Sequence, residues 1–170
     1  MGTLEIILII IGAVLVLFFV WILLCRSSLV KLRAKTKEAF EQMAVPIRKR
    51  YDIIREITEN MPENGAAQNA KDALEFTLAA KTMEEKSSRN IALTKALVSL
   101  KNQKEEFPEL AEKFTALNDA EMEIAKTRKA YNAMARTFNT ERKLFPAIIA
   151  AKLFRIKPYP FFPADDSIKL

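Results

Sequence analysis

Apolar residues follow two different patterns along this chain. From Ile6 to Cys25 the sequence IILIIIGAVLVLFFVWILLC contains no charged residue. At a rise of 1.5 Å per residue, such a run spans roughly 30 Å, the thickness of the hydrocarbon layer of a bilayer. After Cys25 the apolar residues recur every three or four positions, the spacing of an amphipathic helix. The pattern predicts a membrane anchor followed by a set of packed helices.

The apolar run has the features of a retained transmembrane helix. Glu5 precedes it and Trp21 lies near its far end, where tryptophan favours the membrane interface, whereas a cleaved signal peptide has a basic start and a shorter core. Five basic residues follow the run at Arg26, Lys31, Arg33, Lys35 and Lys37. Because basic residues concentrate on the cytoplasmic side, the N-terminus is predicted outside and residues 26–170 in the cytoplasm.

Two long helices are predicted from stripes with alternating steps of three and four residues. The first runs from about residue 28 to 60, with a kink expected at Pro46. Its stripe consists of Leu29, Leu32, Thr36, Ala39, Met43, Ile47, Arg50, Ile54, Ile57 and Met61. The last helix runs from about Pro108 to Phe145. Its stripe consists of Leu110, Phe114, Leu117, Glu121, Ile124, Arg128, Tyr131, Ala135, Phe138, Arg142 and Phe145.

Between the long helices, NMPENG predicts a turn, and two shorter helical stretches follow it. Ser87 or Ser88 is the predicted cap of the second stretch, although one bent helix also fits the pattern. The predicted fold is all-α: a transmembrane helix followed by an antiparallel four-helix bundle with two long and two short helices. The predicted segments are 1–5 outside, 6–25 in the membrane, 26–146 as the bundle and 147–170 as a C-terminal tail.

The short helices can cover only one half of each long helix in this arrangement. Four apolar residues then remain in the half near the membrane: Leu29, Leu32, Phe138 and Phe145. Apolar positions of this kind need cover from a partner chain, the bilayer or the tail. We therefore take these four residues as a candidate self-association surface.

Charged residues stand on the stripe of the last helix. In an antiparallel arrangement Arg50 falls within a helical turn of Glu121, which predicts an Arg50–Glu121 ion pair. Arg128 falls near Gln42 or Glu41. Such pairs can fix the register of the helices, and a polar binding groove between helices is the alternative.

Two asparagines accompany the same stripe. Asn132 and Asn139 are seven residues apart, as are Glu121 and Arg128. The asparagines either bond across the bundle or face water, and the pattern leaves both interpretations open.

The C-terminal tail alternates aromatic and basic residues. With the last helix returning to the bilayer, this tail lies at the lipid headgroups, where both residue types are favourable. The alternative is that it folds back on the bundle. The candidate membrane contacts are Trp21, Lys152, Phe154, Arg155, Lys157, Tyr159, Phe161 and Phe162.

Composition argues against catalysis and metal binding. The chain has no His, one Cys and 3 Gly, so it lacks the commonest general base, a cysteine metal cluster and a glycine-rich phosphate loop. Neither an enzyme nor a cofactor is predicted. Cys25 is interpreted as a buried anchor residue, with acylation as the alternative. The basic residues behind the net charge of +6 are spread out, so nucleic acid is not an expected partner.

Three stretches carry a resemblance to a known family: SSLVKLRAKTKEAF, IRKRYDII and EEFPELAEKFTALNDAEMEIAKTRKAYNAMARTFNTERKLFPAIIAAKLF. The last stretch has a motif that falls on Phe107-Pro108, Glu121, Arg128, Tyr131-Asn132, Asn139 and Phe145-Pro146. On these residues the chain resembles the LemA family over roughly residues 4–60 and 105–162. The resemblance implies an N-terminal anchor, a cytoplasmic helical bundle at a bacterial inner or intracellular membrane, and no established enzyme activity.

The function expected from these observations is binding. The chain is interpreted as a membrane-anchored scaffold or adaptor that self-associates and organises other membrane proteins. The alternative is an oligomeric protein of membrane remodelling or compartment biogenesis, since the resembled family includes a branch associated with magnetosome membranes. The expected partners are the lipid bilayer, further copies of the chain and other membrane proteins, with no small-molecule substrate.

Overall fold

A computed structural model describes residues 2–62 and 64–163, and at Met83 only the backbone is described. These residues form five α-helices and no β-strand. The helices are α1 (Thr3–Asn60), α2 (Gly65–Leu78), α3 (Met83–Lys101), α4 (Ala111–Glu141) and α5 (Ala147–Leu153). The predicted all-α class is confirmed. The predicted tail extends over residues 164–170, which lie outside the described residues.

Helix α1 unites two segments that we predicted as separate helices. It runs without interruption from Thr3 to Asn60 and passes through Pro46. The junction CRSSLVK contains neither Gly nor Pro, so nothing in it opposes the helical backbone. An 18-residue window of α1 reaches a mean hydropathy of 3.4, and by length and composition this helix could span a membrane. A separate anchor followed by four helices is therefore not the arrangement in the structure.

Helices α2 and α3 are separate, and each begins at a polar cap. The side chain of Asn64 accepts a hydrogen bond from the Ala67 N–H at the start of α2. Thr82 caps α3 in a reciprocal arrangement in which the Glu85 side chain accepts from the Thr82 backbone. The predicted cap at Ser87 or Ser88 was wrong, because α3 begins earlier, where Thr82 and Glu85 form both hydrogen bonds of a capping box.

The described residues divide into two compact units. The first contains residues 2–38 and 133–159, and the second contains 39–62, 64–132 and 160–163. Helices α1 and α4 each contribute to both units. Nearly all residues of the two predicted stripes are buried or half-buried, as expected for packing faces. Phe145 is the exception, since α4 ends four residues before it.

The second unit has a core that draws on α1, α2, α3 and α4. Phe40 packs against Tyr131 with their ring centroids 5.7 Å apart, and Glu56 forms an ion pair with Lys113. Because Phe40 precedes Glu56 in α1 whereas Tyr131 follows Lys113 in α4, the two helices run in opposite directions within this unit. The principal core residues are Ile53, Ile54, Ile57, Met61, Leu74, Leu93, Leu97, Leu100, Leu110, Phe114 and Leu117.

The first unit buries two residues that we predicted to lie on a self-association surface. Leu29 is 2% exposed and Phe138 is 0% exposed. The prediction was wrong for both, because packing within this unit already buries them, and the chain after α4 supplies part of the cover of Phe138. The ring of Tyr159 packs against Phe138 at 5.2 Å between centroids. Of the other two candidates, Leu32 is half-buried and Phe145 remains 69% exposed.

The buried row of α3 can be tested by comparing two neighbouring residues. Leu97 is buried in the second unit, whereas Val98 is exposed. We expect Leu97→Ala to lower the free energy of unfolding by about 2–5 kcal/mol, because it leaves a cavity, and Val98→Ala to change it by less than about 0.5 kcal/mol. Urea unfolding in detergent, followed by circular dichroism, measures both. Equal losses would contradict this assignment of the core.

Candidate functional site

A polar cavity of about 120 Å³ lies in the second unit. Helix α1 contributes Arg50 to its wall, α3 contributes Asn90 and Thr94, and α4 contributes Glu121 and Arg128. The remaining wall is formed by Ile91, Ile124, Ala125, Phe162 and Pro163. The cavity therefore combines a small set of charged and polar groups with apolar sides, an arrangement typical of ligand sites.

Arg50 is held in place by α3. It is only 4% exposed, its Nη1 donates to Thr94 Oγ1 at 3.3 Å, and its Nη2 donates to Asn90 Oδ1. Burial lowers the pKa of Arg50, and the neighbouring Tyr51 and Glu121 oppose that shift. An arginine in a protein keeps its charge even so. Its Nε has no hydrogen-bond partner in the described part of the chain.

Tyr51 and Asn90 extend this polar group. The Asn90 side chain donates to the Tyr51 hydroxyl at 2.9 Å and to the Lys86 carbonyl, also at 2.9 Å. Burial raises the pKa of Tyr51, and the charge of Arg50 acts in the opposite direction. The side-chain oxygen of Asn90 thus accepts a hydrogen bond from Arg50, and the amide nitrogen of Asn90 donates to two acceptors.

The predicted Arg50–Glu121 ion pair is not formed. Glu121, which is 8% exposed, instead forms an ion pair through its Oε2 with the Lys101 ammonium group. Its Oε1 has no hydrogen-bond partner among the described residues. The pair was wrong because α3 presents partners for both residues, Lys101 for the carboxylate and Asn90 with Thr94 for the guanidinium. Arg50 and Glu121 nevertheless line the same cavity.

Arg128 lies in the same cavity wall and is half-buried. Gln42, one of its two predicted neighbours, lines a second groove together with Lys126 and Thr127. The charged residues Glu121 and Arg128 therefore meet at a cavity.

Sequence reasoning missed the contribution of α3. Asn90, Thr94 and Lys101 recur at steps of four and seven, next to a buried apolar row. That row consists of Leu93, Leu97 and Leu100. Polar residues that recur at the same helical spacing as an apolar stripe lie at the border of that stripe, where they can reach a neighbouring helix. This spacing is the signal that could have identified them.

In the first unit, α4 binds the backbone of the chain that follows α5. Asn139 Nδ2 donates to the Tyr159 carbonyl at 2.8 Å, and the Tyr159 N–H donates to Asn139 Oδ1 at 2.9 Å. Arg142 Nη1 donates to the Ile156 carbonyl at 2.9 Å. The Asn139 amide thus pairs with both backbone polar groups of one residue.

The same arrangement recurs in the second unit. Asn132 Nδ2 donates to the Phe162 carbonyl at 2.8 Å, and its Oδ1 accepts from the Phe162 N–H at 2.9 Å. The Tyr131 hydroxyl donates to the Pro160 carbonyl at 2.6 Å. Neither open interpretation of the two asparagines describes what they do. Each pairs with the backbone of one tail residue, as an amide with donor and acceptor groups allows.

The candidate membrane contacts divide into docked and exposed residues. Phe162 is 5% exposed, so the prediction that it contacts the membrane was wrong. It lines the cavity instead. Tyr159 is half-buried, and its hydroxyl donates to the Arg33 carbonyl at 3.4 Å. The other predicted contacts are exposed: Trp21, Lys152, Phe154, Arg155, Lys157 and Phe161.

Among known protein families, the LemA family matches residues 39–169. The chain belongs to the LemA family. A comparison with curated proteins gives no match. The LemA match includes every cavity residue and every residue of α4 that binds the tail. Within the described residues, no group of three or more His, Cys, Asp or Glu is placed to hold a metal ion.

The pairing of Asn139 with the tail predicts the protease sensitivity of this LemA protein. Asn139→Ala removes both hydrogen bonds to Tyr159, and leaving polar groups unpaired costs about 1–3 kcal/mol. We expect trypsin cleavage after the exposed Arg155 to become roughly tenfold faster, because cleavage follows the population of the released segment.

Asn118→Ala is the matched control for this cleavage experiment. Asn118 lies on the same helix and is exposed, so its replacement should leave the cleavage rate unchanged. Equal cleavage rates in wild type and Asn139→Ala would show that the asparagine does not hold the tail.

Proposed function

We propose that this LemA protein is a membrane-anchored scaffold or adaptor that self-associates and organises other membrane proteins. The observation that carries the proposal is the continuity of α1. One helix supplies both the apolar segment and the buried stripe of the helical domain. The basic residues that follow the apolar segment support an orientation with the domain in the cytoplasm of a bacterial cell.

The first unit carries side chains suited to a lipid interface. Trp21 packs edge-on against Phe145 at 5.4 Å between ring centroids, and Arg26 lies 4.5 Å from the centroid of the Phe154 ring. Aromatic residues favour the membrane interface, and basic residues are attracted to anionic headgroups. These pairs support the bilayer as a direct partner of the domain, beyond the apolar segment itself.

Exposed apolar residues support self-association. Outside the apolar segment, the first unit exposes large apolar side chains at Val30, Leu144, Phe145 and Leu153. Exposed apolar groups in a region that meets a membrane need cover from lipid or from protein. A second copy of the chain is the cover that fits a scaffold, and Phe145 is the member of the predicted self-association surface that remains available.

Binding rather than catalysis fits the chemistry of the chain. The sequence contains no His, and most of the polar groups described above serve one another and the tail backbone. The proposed partners are therefore lipid, further copies of the chain and other membrane proteins.

The assembly state of the full-length chain tests this proposal. We expect particles with more than one copy in detergent or nanodiscs, measured by size-exclusion chromatography with light scattering. Phe145→Ser should shift them towards single copies, because it removes an exposed apolar side chain. Phe76→Ser replaces an exposed phenylalanine of the second unit and should leave assembly intact. Single copies at every concentration would contradict self-association.

An oligomeric protein of membrane remodelling or compartment biogenesis, as in a magnetosome-like organelle, is the second candidate. The short helix α5 supports it, because the last turn exposes a basic residue, Lys152, and an apolar residue, Leu153, which are residue types that helices in the membrane interface carry. Reconstitution into vesicles followed by electron microscopy separates the two functions. Tubules or regular coats formed by the protein alone favour remodelling, whereas unchanged vesicles favour the scaffold.

A further inference from the structure

We propose that the polar cavity of the second unit is a binding site for a small oxyanion that keeps a proton to donate, with inorganic phosphate as the simplest example. This inference goes beyond the scaffold function and does not depend on it.

The charges around the cavity favour an anion. Two guanidinium groups, those of Arg50 and Arg128, line it. Glu121 is the acidic residue of the described lining, and its charge is already matched by Lys101. Arg128 makes no ion pair with any described residue. Within residues 2–62 and 64–163, two guanidinium groups thus line the cavity without an ion pair. The walls are partly apolar, and charge interactions there are stronger than in bulk water.

Unused hydrogen-bonding groups indicate what the anion must offer. Arg50 Nε is a donor without a partner, and Glu121 Oε1 is an acceptor without a partner, within the described residues. Both side chains are more than nine-tenths buried, and buried polar groups are normally paired. Both atoms have almost no accessible surface in this structure, so small side-chain shifts must open them to the cavity. A ligand with an acceptor oxygen for Arg50 and a proton for Glu121 then satisfies both groups at once.

The site is preorganised. Thr94 and Asn90 already hold two nitrogens of the Arg50 guanidinium, and Asn90 is itself fixed by Tyr51 and Lys86. These bonds fix the orientation of the guanidinium before a ligand binds, which lowers the entropic cost of binding.

The size of the cavity limits the ligand. An engineered cavity of about 150 Å³ accepts benzene, so a cavity of about 120 Å³ accommodates a tetrahedral oxyanion. Phosphate fits both the volume and the hydrogen bonding, since it keeps a proton at neutral pH whereas sulfate does not.

Calorimetric titration of the full-length protein in detergent tests the site, with sodium phosphate and sodium sulfate as probes at matched ionic strength. We expect phosphate to bind at least about tenfold more tightly than sulfate, because only phosphate can donate to Glu121. Glu121→Gln should abolish this preference, since a glutamine side chain can donate to either anion.

Two variants of α4 provide the matched comparison. Arg128→Gln should weaken phosphate binding by about tenfold or more, because it removes a charged donor. Lys129→Gln makes the same change in net charge at an exposed neighbouring position and should leave the affinity unchanged. Thermal melts confirm that both variants stay folded.

Several results would overturn the proposal. They are no phosphate binding by the wild type, equal affinity for phosphate and sulfate, or equal weakening by Arg128→Gln and Lys129→Gln. The first of these would mean that water alone occupies the cavity, and the last would mean that only overall charge attracts the anion.

Discussion

The burial of Arg50 is the constraint on which the arrangement of the second unit depends. A guanidinium on the packing stripe of α1 cannot leave water unless neighbouring groups replace its hydration. Helix α3 supplies that replacement through Asn90 and Thr94, so the register of α3 against α1 is linked to the position of one side chain. A purely apolar stripe would tolerate a shift of a helical turn far better than this one does.

A second constraint comes from the tail. Residues 156–162 contain Pro158 and Pro160 and form no helix, so their backbone groups need partners outside the segment. Tyr131 and Asn132 supply them in the second unit, and Asn139 and Arg142 supply them in the first. The two constraints meet at Phe162. Asn132 binds the backbone of Phe162, and the side chain of Phe162 lines the cavity together with Arg50.

Much of this architecture follows from apolar spacing. The stripes of α1 and α4 could be predicted residue by residue except for Phe145, because a packing face requires steps of three and four. The sequence also identifies Arg50, Glu121 and Arg128 as polar residues that need partners, and it marks Asn132 and Asn139 without deciding whether they bond or face water. The identity of those partners could not be predicted, because an antiparallel estimate of register treats two helices at a time. Lys101 reaches Glu121 from a third helix, which the pairwise argument leaves out.

The tail shows the same difficulty in a different form. Its alternation of aromatic and basic residues is compatible with a lipid interface and with docking on protein, since both bury rings and leave cations in water. In the structure Phe162 and Tyr159 are docked on the protein, whereas Phe154 and Lys157 are exposed. What decides between them is the presence of a matching amide on α4, at Asn132 and at Asn139. The seven-residue spacing of these two asparagines therefore reflects the chain that they bind, as the seven-residue spacing of Glu121 and Arg128 reflects the cavity that they share.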